Sequence, residues 1–194
     1  DSAETGRDGA GIALTIDAGL AFGTGEHATT QGCLRALDAL ARRRRFRSVL
    51  DLGCGTGILA LAAAATWPRA RVTASDIDPE AVTAAQANAR RNRLGWRVSI
   101  VLADGLSQRQ LSRRAPFDLA LANILARPLI RLARSLSRAV APGGILVLSG
   151  VIAADAAWVM APYRAQGFRL ARRLDVNGWA TLVMRKGNGG RDRD

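Results

Sequence analysis

The chain has 194 residues, 48% of them hydrophobic and 23% charged, a globular composition long enough to bury one ordinary core. No apolar run approaches the roughly 20 residues of a membrane helix, and two cysteines with one histidine exclude a disulfide scaffold and disfavour a zinc site. The net charge of +12 rests on 27 arginines and one lysine beside 37 alanines, a skew that GC-rich codons would write and that an anionic partner would also suit.

Residues 1–11 are polar and glycine-rich and read as a flexible N-terminal segment. One domain is expected over 12–186, followed by a flexible tail, 187–194 (GNGGRDRD). Within the domain, 29–43 has a helical pattern, and short apolar runs then alternate with helical stretches. Runs 48–52, 71–75, 98–102, 118–122 and 145–149 read as strands buried on both faces; 58–66, 79–93, 128–140 and 153–166 read as helices. Asp78 ahead of Pro79 is a good helix start. At the end, 168–176 and 179–185 flank Asn177-Gly178, a hairpin signal that should add one antiparallel strand to the sheet's edge. Such alternation predicts an α/β fold, Rossmann-like, with a mostly parallel seven-stranded sheet and helices on both faces. Ligands bind beyond the carboxyl ends of strands in sheets of this kind.

Chemistry-bearing residues fall at those ends. Asp51-Leu52-Gly53-Cys54-Gly55-Thr56-Gly57 follows the first strand and leads into a helix. Its glycines permit a sharp turn and a close ligand approach, or serve the turn alone. Ile58 stands where a dinucleotide fingerprint places its last glycine, and no Walker sequence is present, which disfavours a nicotinamide dehydrogenase and a P-loop. Asp76 ends the second strand, 19 residues after Gly57, where an acid can accept from both ribose hydroxyls. Asp78 suits helix capping. Asp104, after the third strand, could accept from an adenine amino group or simply make a turn.

Together these residues resemble the cofactor site of class I S-adenosylmethionine-dependent methyltransferases. Two further phrases, A-F-G-T-G-E-H-A-T-T over 21–30 and A-N-I-L-A over 122–126, with L-S-G-V over 148–151, look like the ribosomal protein L11 methyltransferase family. That resemblance implies S-adenosyl-L-methionine as cofactor and methylation of lysine side chains and an N-terminal amine of a ribosomal protein. It implies that Thr30, Asp51, Gly53, Gly55, Gly57, Asp76, Asp104 and Asn123 hold the cofactor, with Phe22, Thr24 and His27 lining the same cleft. Glu26 and Ala28 depart from a commoner threonine and proline. Family members usually carry an N-terminal recognition domain, so the chain is expected to be the catalytic part.

An amine with a pKa near ~10.4 must lose its proton before attacking a sulfonium methyl. Asn123 is the candidate for orienting it through the side-chain oxygen, or else merely closes the turn. His27 could act as base or be structural, and Glu26 could draw in a cationic amine or be solvated. A nucleic-acid methyltransferase is the competing reading, favoured by charge. It is disfavoured because Asn123 is followed by Ile124-Leu125-Ala126 and not by a ring that could stack on an extruded base. Trp67, Trp96, Trp158 and Trp179 are expected in core or packing roles. A cofactor-binding domain inactive without its recognition partner is a third reading. The expected setting is cytoplasmic, with no membrane partner and only incidental RNA contact through the basic surface.

Overall fold

Valine-, leucine- and alanine-rich runs separated by amphipathic stretches build a single seven-stranded sheet in the computed structural model of the chain, which describes residues 11–17, 27–106 and 108–188. Strands are β1 (Ser48–Leu52), β2 (Arg71–Asp76), β3 (Val98–Leu102), β4 (Phe117–Asn123), β5 (Val140–Ile152), β6 (Phe168–Val176) and β7 (Trp179–Lys186), and their order across the sheet is β3-β2-β1-β4-β5-β7-β6. Helices are α1 (Ala28–Ala41), α2 (Ile58–Thr66), α3 (Pro79–Arg91), the short α4 (Arg109–Ser112), α5 (Ala126–Ala139) and α6 (Ala156–Ala165). β1 pairs in parallel with both β2 and β4, so consecutive connections run outward in opposite directions from the β1/β4 boundary. A crevice opens at such a switch point, above the strands' carboxyl ends.

Side-chain alternation divides the core into two layers. Leu119 and Leu121 of β4 face Val49, Leu59, Leu61 and Trp67 under α1–α3. Ala120 and Ala122 face Leu129, Leu136 and Tyr163 under α5 and α6. Trp67 is buried, as expected, and its indole N–H donates to the Arg44 carbonyl at 3.1 Å. Lys186, the single lysine, donates to the carbonyls of Ser137 and Val140 at the end of α5, where a cation meets unpaired helix carbonyls.

Two expectations need correction. The hairpin does not simply add one antiparallel strand to the edge: β7 is inserted between β5 and β6, antiparallel to both, and β6 is the edge. The inner position suits β7 because its run Ala180–Met184 is buried throughout, whereas β6 alternates arginines with partly buried residues. Trp96 is not a packing residue, since it is 85% exposed in the turn before β3, and Trp158 is half exposed on α6.

α1 crosses close over the sheet because Gly32 has no side chain. A Cβ there would lie 2.1 Å from Thr181 Oγ1 of β7, which pairs with the Ser149 hydroxyl at 3.0 Å. Gly32→Ala is therefore expected to cost about 1–3 kcal/mol by overpacking. Thermal melts should show a drop in Tm that Thr181→Ala largely restores in the double variant; a single variant melting like the wild type would refute the clash.

Candidate functional site

The glycine loop after β1 is built on left-handed backbone, with φ of 70° at Gly53, 52° at Gly55 and 81° at Gly57. An L-residue avoids this region, which explains the residue type at all three positions. The loop is pinned to β2: the Gly53 and Cys54 N–H groups donate to the Ser75 carbonyl, and Gly55 N–H donates to Asp76 Oδ2 at 2.8 Å. Asp76 Oδ1 accepts from Asp78 N–H at 3.1 Å. A carboxylate has about four lone-pair sites, so Asp76 can hold the loop and still accept from a diol. Asp78 caps α3, accepting from Glu80 N–H at 2.9 Å.

Asp51 lies deeper than the cleft surface. It is 1% exposed, and its Oδ2 accepts from Ala60 N–H at 2.9 Å in the first turn of α2. The N-cap of that helix is Gly57, which has no side chain, so Asp51 supplies the cap from the strand beneath. Its Oδ1 is buried without a hydrogen-bond partner. Burial pushes the Asp51 carboxyl up to about 7, the Ala60 N–H opposes this, and the Asp76 charge adds to it.

A raised native pKa makes the contribution to stability fall as pH rises from the unfolded value near ~3.9 through the native value of about 7. Asp51→Asn removes that dependence. Urea unfolding at pH 5 and pH 8 should show the wild type losing about 4 kcal/mol relative to the variant, from a shift of about three units. Parallel profiles for the two proteins would refute the assignment.

β4 ends on Asn123, across the switch point from Asp51. Its Nδ2 donates to Thr30 Oγ1 of α1 at 3.4 Å, and its Oδ1 is a second buried acceptor without a partner. Thr30 is 1% exposed, so α1 orients the amide from behind. Ile124, next in the chain, is wedged between two glycines. A Cβ on Gly53 would lie 2.4 Å from Ile124 Cγ2, and one on Gly150 (φ 80°) would lie 2.4 Å from the Ile124 carbonyl oxygen. The glycine loop, A-N-I-L-A and L-S-G-V thus meet at one residue.

His27 caps α1. Its Nδ1 lies 2.9 Å from Thr29 Oγ1 and accepts from Thr29 N–H at 3.4 Å, and its ring meets Trp179 edge-on at 5.3 Å. A neutral imidazole accepting at Nδ1 carries its proton on Nε2, so this arrangement favours a structural cap over a base. Asp104 is exposed beyond β3. Phe22, Thr24 and Glu26 lie outside the described residues. Both thiols are raised by burial, Cys33 to about 12 and Cys54 further still, which makes them poor nucleophiles.

Asn88 joins the site without a motif to announce it. Fully buried on α3, it donates from Nδ2 to the carbonyls of Thr56 in the glycine loop and Asp17, while its Oδ1 accepts from Asp17 N–H. One turn on, Asn92 makes the same two bonds to Thr15, so residues 15–17 are held against α3 by a pair of amides. An asparagine at i and i+4 in a polar helix is the only sequence trace of this clasp.

These groups can receive a nucleoside diol at Asp76, pass it over the glycine loop, and offer two orphaned acceptors to a cationic or amine group at the β1/β4 boundary.

The chain matches the family described as "Ribosomal protein L11 methyltransferase" over residues 2–187. It is 48% identical to the ribosomal protein L11 methyltransferase of Bradyrhizobium diazoefficiens over 175 residues, 90% of this chain and 59% of that protein. With that of Sinorhizobium fredii it shares 45% over 188 residues, 96% of this chain and 62% of the relative. Among solved structures, a ribosomal protein L11 methylase from Lactobacillus delbrueckii subsp. bulgaricus superposes with a TM-score of 0.77 at 30% identity, covering 88% of this chain and 84% of that one. The chain spans about 60% of the length of the curated relatives it matches.

Proposed function

The chain belongs to the ribosomal protein L11 methyltransferase family, and from that premise we propose that it transfers methyl groups from S-adenosyl-L-methionine to amino groups of a protein, with ribosomal protein L11 as acceptor in the cytoplasm. Residues 12–186 would form the transfer unit.

The observation that carries this reading is the pair of buried, unpartnered acceptors, Asp51 Oδ1 and Asn123 Oδ1, on adjacent strands at the switch point. Each orphan costs stability unless a donor arrives. Asp51 would take the cofactor's ammonium, whose charge would return the carboxyl to its ionised form. Asp76 would hold the ribose, Gly53 and Gly55 would let the backbone lie against the cofactor, and Asp104 would meet the adenine rim. When bound, S-adenosylmethionine supplies a methyl on a positively charged sulfur, which keeps the bonding pair as the attacking nitrogen takes the carbon.

The chain's own residues prepare that nitrogen. Asn123 Oδ1, fixed by Thr30, would accept one N–H of the neutral amine and aim its lone pair along the C–S axis. The ammonium proton is lost to solvent before attack, because His27 Nδ1 is already engaged by Thr29. A nucleic-acid base as acceptor is less well served: Ile124 packs against Gly53 and offers no ring for stacking.

The test is transfer of labelled methyl from S-adenosylmethionine to purified ribosomal protein L11 or to bare ribosomal RNA. Label on protein amines bears the reading out. Label on RNA alone refutes the acceptor class, and absence of cofactor binding by calorimetry refutes the cofactor.

A further inference from the structure

The larger cleft of the molecule lies at the pole opposite these residues. About 710 Å³ opens at the amino-terminal ends of β1, β2 and β3 and the turn before β4. Strands of five or six residues put it about 15–20 Å from the glycine loop, on the other edge of the sheet. Five of its sixteen lining residues are arginines, Arg69, Arg71, Arg97, Arg113 and Arg114, and none is acidic. Arginine is 27 of 194 residues in the chain, so the lining holds about twice its share. In sequence these arginines are scattered; the parallel order β3-β2-β1-β4 gathers them, because each precedes or opens a strand.

Two of the five are anchored and three are presented. Arg97 donates to the Trp67 carbonyl and Arg114 to Thr73 Oγ1, both at 3.1 Å. Arg69, Arg71 and Arg113 are exposed. Among the described residues no ion pair neutralises any of them. The carboxylate at this pole, Asp118, is occupied by the backbone N–H groups of Arg47 and Ser48 at 2.8 and 3.0 Å. At one side of the cleft stands Trp96, 85% exposed in a turn that is closed by Arg97 and Val98 N–H groups donating to the Leu94 carbonyl. The Arg97 guanidinium lies 5.7 Å from its ring centroid and leaves a face of the indole to solvent.

We propose that this pole binds a single-stranded polynucleotide, with phosphates on Arg69, Arg71 and Arg113 and a base stacked on Trp96. Arginines splayed over several strand entries suit an extended chain of charges better than one phosphate, for which no cradle of backbone N–H groups is built. An exposed indole beside them supplies the sequence-tolerant stacking platform that single-strand binders use. An acidic peptide would satisfy the arginines and leave the indole unused. The site itself stands apart from the methyl-transfer reading; taking the polynucleotide to be ribosomal RNA rests on that reading.

The test is fluorescence anisotropy of labelled twelve-nucleotide oligouridylate and oligothymidylate with the full chain, without cofactor, over 50–300 mM salt. Wild type should bind with a steep salt dependence. Arg71→Gln/Arg113→Gln should weaken binding about tenfold or more and flatten the log–log slope by about 1.4, from ~0.7 for each phosphate that is no longer neutralised. Trp96→Ala should weaken it about tenfold with the slope unchanged, because stacking releases no counterions. Circular dichroism melts confirm that the variants fold. Preference for oligouridylate supports RNA as the source, and equal binding supports the shared polynucleotide chemistry. Wild-type affinity in all variants, or equal competition by a polyglutamate peptide, would overturn the proposal, and neither result bears on methyl transfer.

Discussion

Asn123→Ala is expected to reduce methyl transfer by about 10²–10³-fold, the usual cost of losing one positioned polar group at a reacting centre. Folding should be untouched or improved, because the variant removes a buried acceptor that has no partner in the free protein. That opposite sign separates a role in orienting the amine from a role in closing the β4 turn. Asn123→Asp sharpens the test. A carboxylate keeps an acceptor but stabilises the lysine ammonium, which cannot attack, so transfer should fall near pH 7 and recover toward pH 9–10. Thr30→Val, which removes the partner of Nδ2 at 3.4 Å, should give an intermediate loss of about tenfold. Labelled-methyl assays at saturating cofactor read all three. Transfer by Asn123→Ala within a few-fold of wild type would remove Asn123 from the reaction.

The site shows which physical signals a sequence carries. The glycine loop is legible because positive φ demands a residue type: Gly53, Gly55 and Gly57 mark their own conformation. Strand ends are legible because buried parallel strands are continuous apolar runs, and Asp76 and Asn123 follow such runs. The placement of β7 inside β6 is encoded as well, in the contrast between A-T-L-V-M and the arginine-rich strand before it, but the hairpin signal alone says only that the two strands pair. Asp51 stands in a readable motif, yet its burial under α2 is not readable, because capping from a neighbouring strand leaves no local trace. Asn88 depends on partners 32 and 71 residues distant. The clustering of five arginines depends on strand order, which spacing along the chain does not reveal.

The same dependence on distant partners makes Gly150→Ala the most damaging small substitution expected in this fold. Gly53 and Gly150 both adopt left-handed backbone, and an alanine at either costs ~1–2 kcal/mol in strain alone. They differ in what the new methyl meets. At Gly53 it meets Ile124 Cγ2, the end of a side chain, whereas at Gly150 it meets the Ile124 carbonyl oxygen at 2.4 Å and carbonyl carbon at 2.7 Å. A side chain can turn away; a backbone segment must shift and carry Asn123 with it. Gly53→Ala should therefore lose about tenfold in cofactor affinity, and Ile124→Ala should recover the steric part while leaving the backbone strain. Gly150→Ala should lose about 3 kcal/mol or more of stability, within the upper range for overpacking. Ile124→Ala should not rescue it, because the obstructing atoms remain. Its transfer rate per bound cofactor should also fall, which Gly53→Ala leaves nearly intact. Calorimetric cofactor titration with urea melts of the two single and two double variants checks this asymmetry. Rescue of Gly150→Ala by Ile124→Ala would mean that the clash is carried by the side chain and that Asn123 is positioned by some other element.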